Sequence, residues 1–370
     1  MAEEPPLDSS NREEIDRQGG RRLSRARRPD AEVIWREGFS DDPLGGVHRR
    51  KDLRGARGKV RVDKLPDVAG DPLAGVVVSV SRRTAEVEVL EGEQAGNVLV
   101  CSYSPRLVLG RESLVAVGDR AQVHPMPGSG WLLTSLEPRR TRLSRPGPDA
   151  RDHLDIVVAA NLDVLVIVVA VDRPRFHPRF VDRFLVAAQL GGVKPALFLN
   201  KCDLRTEEPD LDTYRRLGVP VFKGSAETKT GLDELRRFLS GKWSAFAGIS
   251  GVGKSSLIRA MIPDSDAEVG EVRGKDGRGR HTTTRATVYR LSDDSRVVDT
   301  PGIRELAMHR VSAQEIQLYF TEFDEHFGKC RFNDCIHSHE PGCAVAKAVE
   351  AGTIDADRYA SYLRILESLS

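Results

Sequence analysis

The stretch that most constrains the fold is Gly248-Ile249-Ser250-Gly251-Val252-Gly253-Lys254-Ser255, which satisfies G-x-x-x-x-G-K-[ST]. It follows the apolar run WSAFAG and opens the helical segment SSLIRAMI, which Pro263 ends. Such a loop works only between a strand and a helix. Its glycines let main-chain N–H groups approach phosphate oxygens, and the helix N-terminus favours anions. Lys254 is then placed to bridge β- and γ-phosphates, and Ser255, followed by Ser256, to meet Mg²⁺. The surrounding pattern agrees. From Asp155 to Asp299 the apolar runs DVLVIVVAVD, PALFLNK, VPVFKGSA and WSAFAG alternate with helical segments around Pro178–Leu190 and Gly231–Ser240. Near-continuous apolar strands with intervening helices predict an α/β domain whose mostly parallel sheet is covered on both faces.

Three further motifs make the nucleotide specific. Asp299-Thr-Pro-Gly302 follows RVV about 45 residues after the phosphate loop, where Asp299 would act through a magnesium-bound water and the Gly302 N–H would sense a γ-phosphate. Asn200-Lys201-Cys202-Asp203 follows PALFL, and the Asp203 carboxylate can accept from both the ring N–H and the exocyclic amine of guanine. Adenine offers neither donor, so guanine is selected. Ser225-Ala226 resembles the companion turn that backs the base. The order is unusual: the base motifs precede the phosphate loop, the reverse of ordinary GTPases, which is a circular permutation.

Cys330, Cys335, His337 and Cys343 lie in the spacing Cys-x4-Cys-x-His-x5-Cys. Three thiolates and one imidazole are the complement of a closed, structural zinc site, leaving no position for a catalytic water. His339 is an alternative to His337 as the fourth ligand. The remaining cysteines, Cys101 and Cys202, sit in apolar or motif contexts and read as inert, and five cysteines in 370 residues suit a reducing compartment rather than a disulfide framework. No run approaches the ~18 apolar residues of a membrane span, and the start carries no basic-then-apolar signal pattern. These features predict a cytoplasmic protein. After Met308 the pattern is helical, with Ser312 and Glu315 in capping-box spacing and a stripe of Ile316, Tyr319, Phe320, Phe323 and Phe327.

The N-terminal half divides differently. Residues 1–68 are charged, rich in Gly and Pro and lack apolar periodicity, which predicts a flexible arm. Its segment Gly45–Arg61 holds seven basic residues and one acid, a candidate contact for phosphate backbones. Residues 69–148 contain AGVVVSV, TAEVEVL, NVLVCSY, AQVHPM and GWLLTSL, short β-rich runs that predict an OB-like barrel, followed by a Pro/Arg-rich linker at Pro138–Pro148. With 56 Lys and Arg against 55 Asp and Glu, whole-chain charge announces no polyanionic partner. The basic arm and linker are therefore the expected RNA contacts.

The phrases GISGVGKSS, GRGRHTTT, DTPGIRE and CRFNDCIHSHEPGCAV, in this permuted order and behind a small barrel, resemble the small-ribosomal-subunit-dependent GTPase A family, RsgA. The resemblance runs from about Pro72 to the C-terminus. It implies a barrel at 69–148, a permuted GTPase domain at 149–308 and a zinc-binding helical unit at 309–370. It further implies GTP hydrolysis, rRNA binding and a role in late maturation of the 30S subunit, and the chain is expected to act as a monomer. A non-hydrolysing, GTP-dependent RNA-binding module is the alternative reading. Ile303, directly after DTPG, cannot orient water, so a polar group must come from elsewhere. His281, beside the switch threonines Thr283 and Thr284 that are candidates for Mg²⁺, is the expected group.

Overall fold

The computed structural model describes residues 68–81, 83–103, 107, 115–146, 155–205, 207–262, 286–299 and 311–369. Residues 1–67 of the expected arm at 1–68 and the site residues His281, Thr283, Thr284 and Gly302 lie outside the described residues.

Five strands, β1 (Leu73–Val80), β2 (Thr84–Val89), β3 (Val98–Tyr103), β4 (Arg120–Pro125) and β5 (Trp131–Leu136), close into a barrel. Its order is β1-β2-β3-β5-β4 with β4 returning to β1, and only β3–β5 is parallel. This five-stranded closure is the OB type. Val77 points into the barrel core with Val87, Val123 and Leu133, whereas Val76 and Val78 join the core of the next domain. Burial on both faces explains why β1 reads as an unbroken apolar run.

The expected linker at Pro138–Pro148 is instead partly a strand. Arg142–Pro146 (β6) pairs antiparallel with Asp155–Ala160 (β7). The pairing is tied to the barrel: Asn161 Nδ2 donates to the Gly118 carbonyl at 2.9 Å, and its Oδ1 accepts from the Arg140 N–H at 2.9 Å. Proline and arginine composition hid a strand whose partner lies further along the chain.

The second sheet has the order β10-β9-β8-β11-β13-β12, from Val221–Lys223 (β10), Lys194–Asn200 (β9), Val164–Ala170 (β8), Trp243–Ala247 (β11), Arg296–Asp299 (β13) and Thr287–Arg290 (β12). Every neighbouring pair is parallel except β12–β13. Along β8, Leu165, Ile167 and Val169 face one core while Val164, Val166, Val168 and Ala170 face the other. The first is covered by helix α1 (Pro178–Leu190) through Val181, Phe184, Leu185 and Ala188. The second is covered by α3 (Leu232–Leu239) and α4 (Lys254–Met261), a short α2 (Asp212–Arg216) intervening in the chain.

At the C-terminus the stripe from Ile316 to Phe327 is not one helix. It breaks into α5 (Ala313–Ile316) and 3-10 turns at Gln317–Tyr319 and Thr321–His326. Backbone geometry leaves the helical region at Phe320, with φ −112° and ψ 84°. Both Phe320 and Phe323 thereby pack on Tyr362 of the last helix, with ring centroids 5.1 and 5.0 Å away. Ser312 and Glu315 do form a capping box, Ser312 Oγ accepting from the Glu315 N–H and Glu315 from the Ser312 N–H. Helices α6 (Ala344–Glu350) and α7 (Ala356–Glu367) complete this unit.

Candidate functional site

The phosphate loop leaves β11 at Gly248 and enters α4 at Lys254. Gly253 has φ +91°, and a Cβ there would lie 2.5 Å from Asn200 Nδ2. The glycine is needed on both counts, since the side chain that would clash belongs to the base motif. Asn200, buried at the end of β9, donates from Nδ2 to the Val252 carbonyl at 2.9 Å and accepts at Oδ1 from the Ala226 N–H at 3.0 Å. One amide thus fastens the phosphate loop to the Ser225-Ala226 turn. Ser225 Oγ, also buried, accepts from the Glu227 and Thr228 N–H groups at 3.2 Å and fixes that turn.

Lys201, at φ +63°, donates from Nζ to the Gly251 carbonyl at 2.7 Å and to the Arg173 carbonyl. Its stem and charge brace the loop and leave the Asp203 carboxylate exposed at the rim. Lys254 Nζ donates to the Gly248 and Ile249 carbonyls at 2.7 and 3.1 Å. Ser255 and Ser256 stand exposed in the first turn of α4. Asp299 ends β13; burial pushes its carboxyl above the usual range, and the Lys254 ammonium opposes that. The opposed pair places an acid and the loop lysine in electrostatic contact at the C-terminal edge of the sheet. Neighbouring charges of this kind suit a divalent cation and a polyphosphate. Sequence motifs did not disclose the segment Arg173–Phe176. Pro174 lies against Gly251, and Pro174, Arg175 and Phe176 share a cleft with Gly248, Ile249 and Val252. Its signal was the alternation of Arg with Pro and Phe.

A second cluster lies in the C-terminal unit. The ligand atoms of Cys330, Cys335, His337 and Cys343 all fall within 4.8 Å of one another. His337 Nδ1 is 3.5, 3.4 and 3.4 Å from the sulfurs of Cys330, Cys335 and Cys343. A tetrahedron with metal–sulfur bonds near 2.3 Å and metal–nitrogen near 2.0 Å has S···N edges of about 3.5 Å, so the four residues fit one cation. Burial pushes the Cys335 thiol up to about 12 and that of Cys343 upward as well. A metal would therefore be the group that makes them thiolates at neutral pH. Main-chain N–H groups of Ala344 and Ala346 donate to the Cys330 and Cys343 sulfurs at 3.2 and 3.4 Å. The Glu340 carboxylate accepts from the N–H groups of Ile336, Ser338 and His339. Burial works against its ionisation, yet these donors bring it down to about 2. His339 is exposed and pairs with Ser338 Oγ at 2.7 Å, away from the cluster. Cys101 is buried in the barrel, where its thiol is pushed up to about 12, and Cys202 is half-buried beside the base motif.

Comparison with known proteins places these features together. The family model described as RsgA GTPase matches residues 136–309. A small ribosomal subunit biogenesis GTPase RsgA of Pseudomonas fluorescens (strain SBW25) is 41% identical over 309 residues, covering 81% of this chain and 87% of that protein. The protein of the same name from Chlorobaculum parvum is 39% identical over 311 residues, covering 81% and 99%. Among solved structures, YjeQ from Thermotoga maritima superposes with a TM-score of 0.61 at 32% identity, covering 81% of this chain and 99% of that one. YloQ, described as a circularly permuted GTPase, shares the fold with a TM-score of 0.59, covering 81% and 95%.

Proposed function

Because the chain belongs to the RsgA family of GTPases, we propose that it hydrolyses GTP in late maturation of the small ribosomal subunit, binding that subunit through its rRNA as a monomer in the cytoplasm. The observation that carries this reading is Asn200 holding the phosphate loop and the base-backing turn in one hydrogen-bonded unit, in a permuted chain order. Asp203 would accept from guanine, with Ser225 and Ala226 behind the base. Gly248 to Gly253 would line the phosphates. Lys254 would exchange its two loop carbonyls for β- and γ-oxygens. Mg²⁺, held by Ser255, one of Thr283 and Thr284, and Asp299 through water, would supply charge neutralisation between the phosphates. Gly302 would report the γ-phosphate. In the C-terminal unit the metal that the Cys3His cluster would hold is zinc, a single structural ion, since all four positions would be filled by protein. Among the described residues no helix is long and apolar enough to cross a membrane. Single-turnover phosphate release with and without purified 30S subunits tests the reading: stimulation supports it, and GTP binding without turnover in either condition would favour a non-hydrolysing RNA-binding module.

Asp203→Asn should weaken GTP binding by about 2–3 kcal/mol, because a charged acceptor for two donors is replaced by a group that presents one of its own. Xanthosine triphosphate, which has a carbonyl where guanine has its amine, should gain affinity in the variant. Titration of both nucleotides by fluorescence checks this, and unchanged guanine preference would remove Asp203 from the base site.

His281 would orient the attacking water once the subunit docks, with Arg273, Lys275, Arg278, Arg280 and Arg285 drawing its loop onto rRNA. His281→Ala is then expected to keep GTP and subunit affinity while losing on the order of 10²-fold in subunit-stimulated turnover. Full stimulated turnover in that variant would leave the loop with RNA contact alone.

A further inference from the structure

Twelve residues, Asp172 to Arg183, run from the end of β8 into the first turns of α1 and read DRPRFHPRFVDR. Burial alternates along them. Arg173, Arg175, His177 and Arg179 are exposed, while Pro174, Phe176 and Phe180 are partly buried. Phe176 packs against the core beside Tyr214, and Pro174 lies on the phosphate loop at Gly251. Arg183 is exposed one helical turn beyond Arg179.

Both acids of this stretch are already engaged. Asp172 pairs with Arg205 at 3.2 Å and lies 4.0 Å from Arg173, and Asp182 is buried against Arg358 of the C-terminal unit. Arg175, Arg179 and Arg183 have no carboxylate of the described residues within ion-pair distance. The Arg179 guanidinium carbon lies 5.1 Å from the centroid of the Phe180 ring. Like charges four residues apart on a helix are mildly destabilising. Such a concentration, in a chain whose acids and bases nearly balance, fits a surface whose counter-charge arrives from outside.

We propose that Arg173, Arg175, Arg179 and Arg183 form a docking strip for RNA phosphates, distinct from the basic arm and from the loop of His281. This rests on the reading that the protein binds the small ribosomal subunit. Guanidinium groups match phosphate geometry and stay charged at every physiological pH. The strip is also joined to the nucleotide site, because the Arg173 carbonyl accepts from Lys201 Nζ, the same ammonium that holds Gly251. RNA seated on the arginines would therefore bear on the backbone of the phosphate loop.

The test is the full-length Arg179→Glu/Arg183→Glu double variant beside Arg179→Lys/Arg183→Lys, with purified 30S subunits and a short oligouridylate as probes. GTP affinity and basal turnover should match the unaltered protein. Subunit affinity should fall at least about tenfold in the Glu variant, and the slope of log affinity against log salt should shrink by about two, one for each lost phosphate contact. The Lys variant should recover most of both, and oligouridylate binding should weaken in parallel. Unchanged affinity and slope for both probes would overturn the strip, as would a loss of GTP affinity with RNA binding intact, which would make it a nucleotide-steering surface. If the unaltered protein binds oligouridylate through these arginines but ignores the subunit, the failure lies with the ribosomal reading instead.

Discussion

Cys335→Ser should cost the protein its zinc and the order of its C-terminal unit together. Structural zinc sites of this ligand type contribute on the order of 10 kcal/mol at neutral pH, and that binding energy is folding energy. The unit's apolar core gathers Phe320, Phe323, Tyr362 and Ile365 around Cys335 and Cys343 themselves, so a metal held there would sit inside the core it stabilises. At roughly 60 residues the unit is also in the range where an apolar core alone rarely suffices. His337 is wedged between Phe323 and Phe327 with ring centroids 5.7 and 5.6 Å away, and Tyr359 Oη donates to the His337 carbonyl at 2.9 Å. Losing one ligand therefore loosens the aromatic packing as well. Metal content by mass spectrometry and limited proteolysis check the outcome, with Cys202→Ser as the control expected to keep its zinc. A zinc-free Cys335→Ser protein with native protease resistance would show that packing alone holds the unit.

The nucleotide fold was legible because its physics is local. A phosphate loop needs a strand, glycines and a helix start in sequence, and Trp243 to Met261 supplies them contiguously. The barrel was legible for a similar reason, its strands being short, β-rich runs bounded by turns. Non-local determinants were not. Arg142–Pro146 is a strand only because Asp155–Ala160 comes back to pair with it. The stripe from Ile316 to Phe327 has helical spacing, but Tyr362, some forty residues on, is the surface against which it turns. Glu88 gives no sign in TAEVEVL that it is only 4% exposed and is paired at 2.8 Å with both Arg290 and Arg296, which fastens the barrel to strands β12 and β13 of the second sheet. Charged residues in a strand read as solvent-facing until a second domain covers them.

The same blindness hid the contact behind the second large effect, at Arg358. This residue is 4% exposed and sits in α7, where its neighbours in sequence suggest an ordinary solvated helix face. Its guanidinium donates to Asp182 Oδ1 of α1 at 2.7 Å and to both oxygens of Glu322 at 2.7 and 3.2 Å, and it lies 4.5 Å from the centroid of Phe320. Burial alone would weaken its charge, but Glu322 and Asp182 outweigh that and raise its pKa. One planar cation thus joins the GTPase domain to the C-terminal unit, with Thr213 Oγ1 donating to Asp355 Oδ2 at 3.0 Å alongside. Arg358→Ala leaves Asp182, at 0% exposure, facing no cation, and breaking a buried pair in this way costs about 3–5 kcal/mol. Arg358→Lys should recover only part, since a single ammonium cannot reproduce the fork that serves two carboxylates. Adding Asp182→Asn to Arg358→Ala should restore some stability, because the stranded charge is then gone. Denaturation midpoints of the single and double variants check the coupling, and strictly additive losses would mean that the pair contributes nothing as a pair. Hydrogen exchange should locate the damage along α1 and α7. Because α1 begins beside the phosphate loop and carries Asp182 on its buried face, a loosened Arg358 should also be felt as faster GTP release, with the base motif itself untouched.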